Sequence, residues 1–126
     1  MYNDVCIDEL KNCVLVSVKV NDDATELEMK TVDGVAYTFY HSQNCCELVW
    51  IADITGDLSD LIGDPLLFVE CSTSEMTDED CKNSDRSQEE GLWTFYKFAT
   101  RKGYVDIRWC GMSNGYYSMG VSIRKE

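Results

Sequence analysis

The residue with the clearest capacity for chemistry is the single histidine, His41, which is followed in the sequence by Cys45 and Cys46. Histidine exchanges a proton near neutral pH, so His41 is the first candidate for acid–base work. A Cys–His pair could also supply a nucleophile and its base. In an extended chain, however, residues four apart are separated by about 13 Å at ~3.3 Å per residue, and only a sharp bend at residues 42–44 would join them.

We therefore predict no catalytic residues and keep a His41-dependent activity as the alternative. The simpler interpretation of His41 is structural. It follows Val35, Tyr37 and Phe39 on one face of an alternating stretch, which predicts a histidine at the end of an apolar strand, hydrogen-bonded to backbone.

The cysteine pattern favours thiols over metal ligands. The chain has seven cysteines, an odd number, and lacks both a C-x-x-C pair and a secretion signal. We therefore expect reduced and mostly buried thiols, with neither a disulfide framework nor a zinc site. The carboxylates between residues 47 and 64 match no calcium-binding loop, and no phosphate-binding or hydrolase signature occurs. The sequence accordingly predicts no metal and no cofactor.

Arg108 is the strongest candidate for ligand binding. Residues 104–110 alternate between two faces, with Asp106 and Arg108 on one and Val105, Ile107 and Trp109 on the other. A guanidinium group suits two-point recognition of phosphate or carboxylate. Nearby, the turn at Ser113 and Asn114 offers backbone N–H groups, and Tyr116 and Tyr117 offer stacking surfaces. This composition is typical of a nucleotide site. Arg108 could instead pair with Asp106 or with the acidic residues of segment 72–90, while the aromatic rings fill the core.

The elements that position these residues are predicted to be short strands. Alternating or apolar stretches occur at residues 14–20, 27–31, 35–41, 45–54, 66–71, 92–100, 104–110 and 116–124. Asp33-Gly34 predicts a tight hairpin, and Asp57 predicts the cap of one short helix near residues 57–62. We expect a single domain over residues 1–126, mainly β with α+β as the alternative. Its seven or eight short antiparallel strands would form a twisted sheet that closes as a barrel or sandwich.

Charge divides the chain into three parts. Residues 1–69 carry 13 acids and 3 bases, residues 70–90 carry 8 and 2, and residues 91–126 carry 2 and 6, for a net charge of −12. Such a surface repels duplex nucleic acid and anionic lipid. No apolar run reaches the roughly 20 residues of a membrane span, and residues 1–10 do not resemble a signal peptide. These features predict a cytoplasmic protein with no membrane partner.

The acidic segment forms a second candidate surface. Residues 72–90 are polar and lack periodicity, which predicts a flexible acidic loop. Its carboxylates could contact a partner protein: Glu75, Asp78, Glu79, Asp80, Asp85, Glu89 and Glu90.

Three stretches carry a family resemblance: YHSQNCCELVWIADITGD at residues 40–57, WTFYKFATRKGYVDIRW at 93–109 and SNGYYS at 113–118. Together they resemble a small family of uncharacterised proteins from tailed phages and from bacterial genomes that carry prophages. The chain departs from the family pattern in residues 72–90 and at Cys110. The family has no assigned activity, so the resemblance implies a phage accessory protein that acts in the cytoplasm of an infected bacterium. The polar motif residues that it adds to the candidate site are His41, Gln43, Glu47, Arg108, Ser113, Asn114 and Ser118.

Two functions are compatible with these features. The first is a non-catalytic counter-defence protein, acting as a homo-oligomer, that sequesters a small anionic, nucleotide-type immune signal of the host. Its ligand residues would be Arg108, Asn114, Tyr116, Tyr117, His41, Gln43, Glu47 and Ser113. The second is an acidic inhibitor whose segment 70–90 binds and blocks a host defence or nucleic-acid-processing protein.

Overall fold

A computed structural model describes residues 3–43, 46–76, 90–113 and 118–126. The strands within these ranges are β1 (Asn3–Asp4), β2 (Leu15–Val20), β3 (Leu27–Thr31), β4 (Ala36–Tyr40), β5 (Leu48–Thr55), β6 (Phe68–Glu75), β7 (Glu90–Thr100), β8 (Gly103–Ser113) and β9 (Ser122–Lys125). They form two antiparallel sheets, with strand orders β1-β9-β4-β3-β2 and β5-β8-β7-β6. Two 3₁₀ turns, Ile7–Leu10 and Leu58–Leu61, complete the described elements.

The mainly β, antiparallel prediction is confirmed. The described ranges contain nine strands, one more than the upper predicted number of eight, because residues 3 and 4 pair briefly with β9. The two sheets are not closed into a barrel and face each other as a sandwich instead. The predicted short helix is the 3₁₀ turn Leu58–Leu61, and no longer helix occurs in the described residues. Those residues include no helix that is long and apolar enough to cross a membrane.

The core lies between the inner faces of the two sheets. Phe39 of β4 meets Tyr96 and Phe98 of β7 edge-on, with ring centroids 4.9 Å and 5.9 Å apart. Edge-to-face contacts of this kind stabilise aromatic pairs beyond the burial of their surface. Leu27 and Met29 of β3 are fully buried in the same cluster, as the alternation of that strand predicts.

Local signals account for the ends of several elements. The β3–β4 hairpin turns at Gly34, whose φ of +87° suits glycine. The Asp57 side chain accepts hydrogen bonds from the hydroxyl and the backbone N–H of Ser59, at 2.7 Å and 2.9 Å, as predicted for a cap. These two hydrogen bonds lower the pKa of the Asp57 carboxyl below its ordinary value.

The β7–β8 hairpin positions the candidate site. Its register is continuous from the Glu90↔Ser113 pair to the Thr100↔Gly103 pair. Val105, Ile107 and Trp109 are buried in the core, so the intervening residues of β8 face outward, as predicted. Strand β5 lies beside β8 and strand β6 beside β7, which extends this outward face to four strands.

The first residues of the predicted acidic loop 72–90 form a strand instead. Residues 72–75 belong to β6, where Ser72 pairs with Phe95 and Glu75 with Leu92. This polar half of the strand has no alternation to reveal it, because both of its faces are exposed. Glu75 is exposed, residue 90 begins β7, and Asp78, Glu79, Asp80, Asp85 and Glu89 lie outside the described residues.

Candidate functional site

A groove of about 320 Å³ crosses the outer face of the four-stranded sheet. Strand register explains its lining, because the side chains of directly paired residues lie on the same face. One row across the sheet contains Ser72, Phe95, Arg108 and Asp53. The next row contains Glu70, Lys97, Asp106 and Thr55. The eight residues of these two rows line the groove.

Arg108 is the central cation of this groove. Its guanidinium carbon lies 4.5 Å from the centroid of the Trp93 ring, a cation–π contact worth roughly 0.5–2 kcal/mol depending on desolvation. Its Nε is buried and has no hydrogen-bond partner. No carboxylate in the described part of the chain lies within ion-pair distance of the guanidinium. The contact with Trp93 therefore holds the guanidinium in place without occupying its N–H donors.

Asp106 does not form an ion pair with Arg108, which was one alternative interpretation of the sequence; the other, pairing with the acidic segment, falls mostly on residues 77–89, outside the described ranges. The nearest cation to Asp106 is instead Lys97, whose Nζ lies 3.8 Å from Asp106 Oδ1. That oxygen has no hydrogen-bond partner. Both side chains are close to half exposed, so this ion pair contributes at most about 1 kcal/mol.

A second polar cluster surrounds the histidine. His41 Nδ1 lies 2.7 Å from the backbone oxygen of Gly120, and His41 Nε2 lies 2.8 Å from Glu47 Oε2. The Gln43 amide donates to the backbone oxygen of Glu47 at 2.6 Å and to its Oε1 at 3.1 Å. Glu47 is 1% exposed, so this carboxyl group is held almost entirely by protein contacts. The backbone contact of His41 is the one predicted from its place at a strand end.

The proton arrangement of this cluster is constrained. A backbone oxygen only accepts, so His41 Nδ1 carries a hydrogen that it donates to Gly120. The Nε2–Oε2 contact then joins either an imidazolium to a carboxylate or a neutral ring to a protonated Glu47. Both arrangements leave the pair with no net charge, which is what a buried site tolerates.

The predicted ligand residues do not form one site. His41, Gln43 and Glu47 meet in the buried cluster, whereas Arg108 lies on the outer face of β8. Ser113 is buried and shares the inner face of β8 by alternation, about 17 Å along the strand from Arg108 at ~3.4 Å per residue. Asn114, Tyr116 and Tyr117 lie outside the described residues, and Ser118 is exposed.

Two basic residues at the β7–β8 turn are occupied elsewhere. Arg101 Nε lies 3.0 Å from Asp64 Oδ1. Lys102 Nζ donates to the backbone oxygen of Ile62 at 2.6 Å and lies 3.6 Å from Asp64 Oδ2. They attach the turn to the segment after Leu58–Leu61 and add no charge to the groove.

Sequence reasoning missed most of the groove lining. Alternation in residues 92–100 places Trp93, Phe95 and Lys97 on one face of the strand. The opposite face has Thr94, Tyr96 and Phe98. A local sequence signal for the residues that β7 contributes therefore exists. The contributions of β5 and β6 depend on pairing between segments distant in sequence, and no local pattern indicates them.

The cysteine expectation was wrong in two respects. Cys46 is disulfide-bonded, whereas all thiols were expected to be reduced. The free cysteines in the described ranges are Cys6, Cys13, Cys71 and Cys110, of which only Cys110 is buried. Desolvation raises the pKa of the Cys71 thiol, and a hydrogen bond with Tyr96 partly opposes the shift.

Comparison with known proteins identifies a family that the chain matches. A family model described as a domain of unknown function (DUF7448) matches residues 8–123, which include the groove and the histidine cluster. No curated protein and no solved structure matches the chain.

Proposed function

We propose that this chain, which belongs to the DUF7448 family, is a non-catalytic protein that captures a small anionic ligand of nucleotide type in the Arg108 groove. The observation that carries the proposal is the Arg108 guanidinium, which is stacked on Trp93 and lies beside an open groove with no ion pair to the described carboxylates. The groove volume of about 320 Å³ is at the lower end of the range for small-ligand sites.

The groove offers a separate group for each part of a nucleotide. Arg108 supplies N–H donors in the planar geometry that matches two phosphate oxygens. Phe95, its neighbour across β7, is 37% exposed and presents a ring on which a base can stack. Asp53 and Asp106 flank Arg108 and can accept hydrogen bonds from sugar hydroxyls.

Capture without turnover agrees with the state of His41. Both of its ring nitrogens are engaged by protein groups, and its side chain is 5% exposed. A general base must reach the proton that it abstracts, and His41 lies in a different cluster from the groove. The resemblance to phage proteins favours a nucleotide immune signal of an infected bacterium as the ligand, and sequestration in the bacterial cytoplasm as the role.

The test is thermal unfolding with a panel of nucleotides: AMP, cyclic AMP, ADP-ribose, GMP and ATP. A ligand that binds the native state alone raises the unfolding temperature. Arg108→Ala should weaken binding by roughly 10- to 100-fold, because it removes charge-assisted hydrogen bonds to phosphate.

Arg124→Ala is the matched control. Arg124 also lies over an aromatic ring, at 4.9 Å from the Tyr40 centroid, and lines a second groove of about 320 Å³ on the other sheet. Unlike Arg108, it is paired with Glu26 at 3.5 Å. Binding should survive this substitution. Absence of a shift with every nucleotide, or equal binding by the Arg108→Ala variant, would overturn the proposal.

A further inference from the structure

The charges around Arg108 restrict which nucleotide the groove can hold. It contains two cations, Arg108 and Lys97, and three carboxylates, Asp53, Glu70 and Asp106. The groove is therefore not a basic pocket, and its two cations have different charged neighbours.

The positive charge of Lys97 is already compensated by carboxylates in its own row. It pairs in register with Glu70 on β6 and with Asp106 on β8, so a carboxylate lies on each side of it. Directly paired residues have Cβ atoms about 4.5–5.5 Å apart, which keeps both carboxylates close to the ammonium group. An anion placed there would meet two negative charges for one positive charge.

Arg108 has a different pair of neighbours. Phe95 lies beside it on β7 and Asp53 on β5, so its row contains one cation and one carboxylate. Its position over Trp93 directs the guanidinium away from ion pairing with the described acids. The groove thus has one favourable position for an anion, bordered by Asp53 on β5 and, in the next row, by Asp106 and Glu70.

We infer that the ligand carries a single phosphate group, as a nucleoside monophosphate or a phosphodiester, and that the three carboxylates select against polyphosphates. This inference rests on the proposed function and specifies its ligand class. The phosphate binds Arg108, and sugar hydroxyls donate to the flanking carboxylates. Asp53, which is exposed in the groove beside Arg108, can accept one of these donors.

A chain of further phosphates would lie against the acidic groups. Like charges a few ångströms apart at a protein surface repel by enough to change affinity about tenfold. We therefore expect AMP and cyclic AMP to bind at least about tenfold more tightly than ATP, and GMP to do so relative to GTP.

The test is calorimetric titration in EDTA, which removes the divalent cations that would otherwise neutralise a polyphosphate. The probes are AMP, cyclic AMP, GMP, ATP and GTP, with orthophosphate and tripolyphosphate as arms that lack a base. In each series, the wild-type chain should bind the probe with a single phosphate more tightly than the polyphosphate.

Asp106→Asn keeps the shape of the side chain but removes its charge, and it should narrow the preference for AMP over ATP by about tenfold. Glu28→Gln is the control, since Glu28 lines the groove on the other sheet and should leave the preference unchanged. Thermal unfolding of each variant shows that the fold is retained.

The outcomes separate the two claims. If no probe binds the wild-type chain, the proposed function itself is overturned. If ATP or GTP binds as tightly as its monophosphate, or if Asp106→Asn leaves the preference unchanged, the single-phosphate inference alone is overturned.

Discussion

Glu47→Ala is expected to lower the free energy of unfolding by about 3–5 kcal/mol, the usual cost of removing one partner of a buried ionic pair. The side chain of Glu47 is fully buried, and its two oxygens contact His41 and Gln43. Alanine would leave His41 Nε2 and the Gln43 amide without these hydrogen-bond partners, and it would also leave a cavity. Small domains are stable by only about 5–15 kcal/mol, so the loss is large.

Glu47→Gln is the matched variant that separates hydrogen bonding from packing. A glutamine amide can accept from Gln43 and donate to a neutral His41, so every contact of the cluster has a counterpart. We expect a loss of no more than about 1.5 kcal/mol at pH 8.

Urea denaturation at pH 8 measures both losses of unfolding free energy. Equal losses for the alanine and glutamine variants would contradict this account of the cluster.

Gly56→Ala should destabilise the fold by about 2–4 kcal/mol through strain and crowding together. Gly56 follows β5 with a φ of +105°, which side chains rarely adopt. A Cβ atom there would lie 2.6 Å from the backbone oxygen of Tyr104 and 3.3 Å from the Cα of Val105. Both atoms belong to β8, so relief of the contact requires β5 and β8 to separate beside the groove.

Gly34→Ala is the control for backbone strain alone. Gly34 has a φ of +87°, and a Cβ atom there would meet nothing within 4 Å. Its replacement should cost about 1 kcal/mol, the usual penalty for a left-handed L residue. If urea denaturation gives the same loss of unfolding free energy for both variants, the close approach of β5 to β8 adds nothing to the cost of Gly56→Ala.

Much of this fold could be predicted from local patterns. Leu27 and Met29 alternate with charged residues and are fully buried, and Asp33-Gly34 forms the expected turn. The buried face of β8 followed from Val105, Ile107 and Trp109, which also placed Arg108 outside. These signals hold because each strand has one buried and one solvated face.

The remainder depended on long-range pairing. The polar half of β6 is a strand only because β7 provides its hydrogen-bond partners. In β2, strict alternation places Val16 on the same face as Val18 and Val20, which pack against the core. A register shift between Leu15 and Ser17 instead leaves Val16 exposed and Leu15 buried. The predicted ligand residues also divide between two places, because His41 and Arg108 lie in separate family motifs and belong to different parts of the sandwich.

The most direct test of the central claim is a nuclear magnetic resonance titration of the Arg108 Nε–H and Trp93 indole N–H signals with the tightest-binding nucleotide of the panel. If the stacked guanidinium receives the phosphate, both signals shift and saturate with the affinity measured by calorimetry, while the Arg124 Nε–H signal stays in place. Stationary Arg108 and Trp93 signals at saturating nucleotide would contradict the account, because the ligand would then be bound somewhere else.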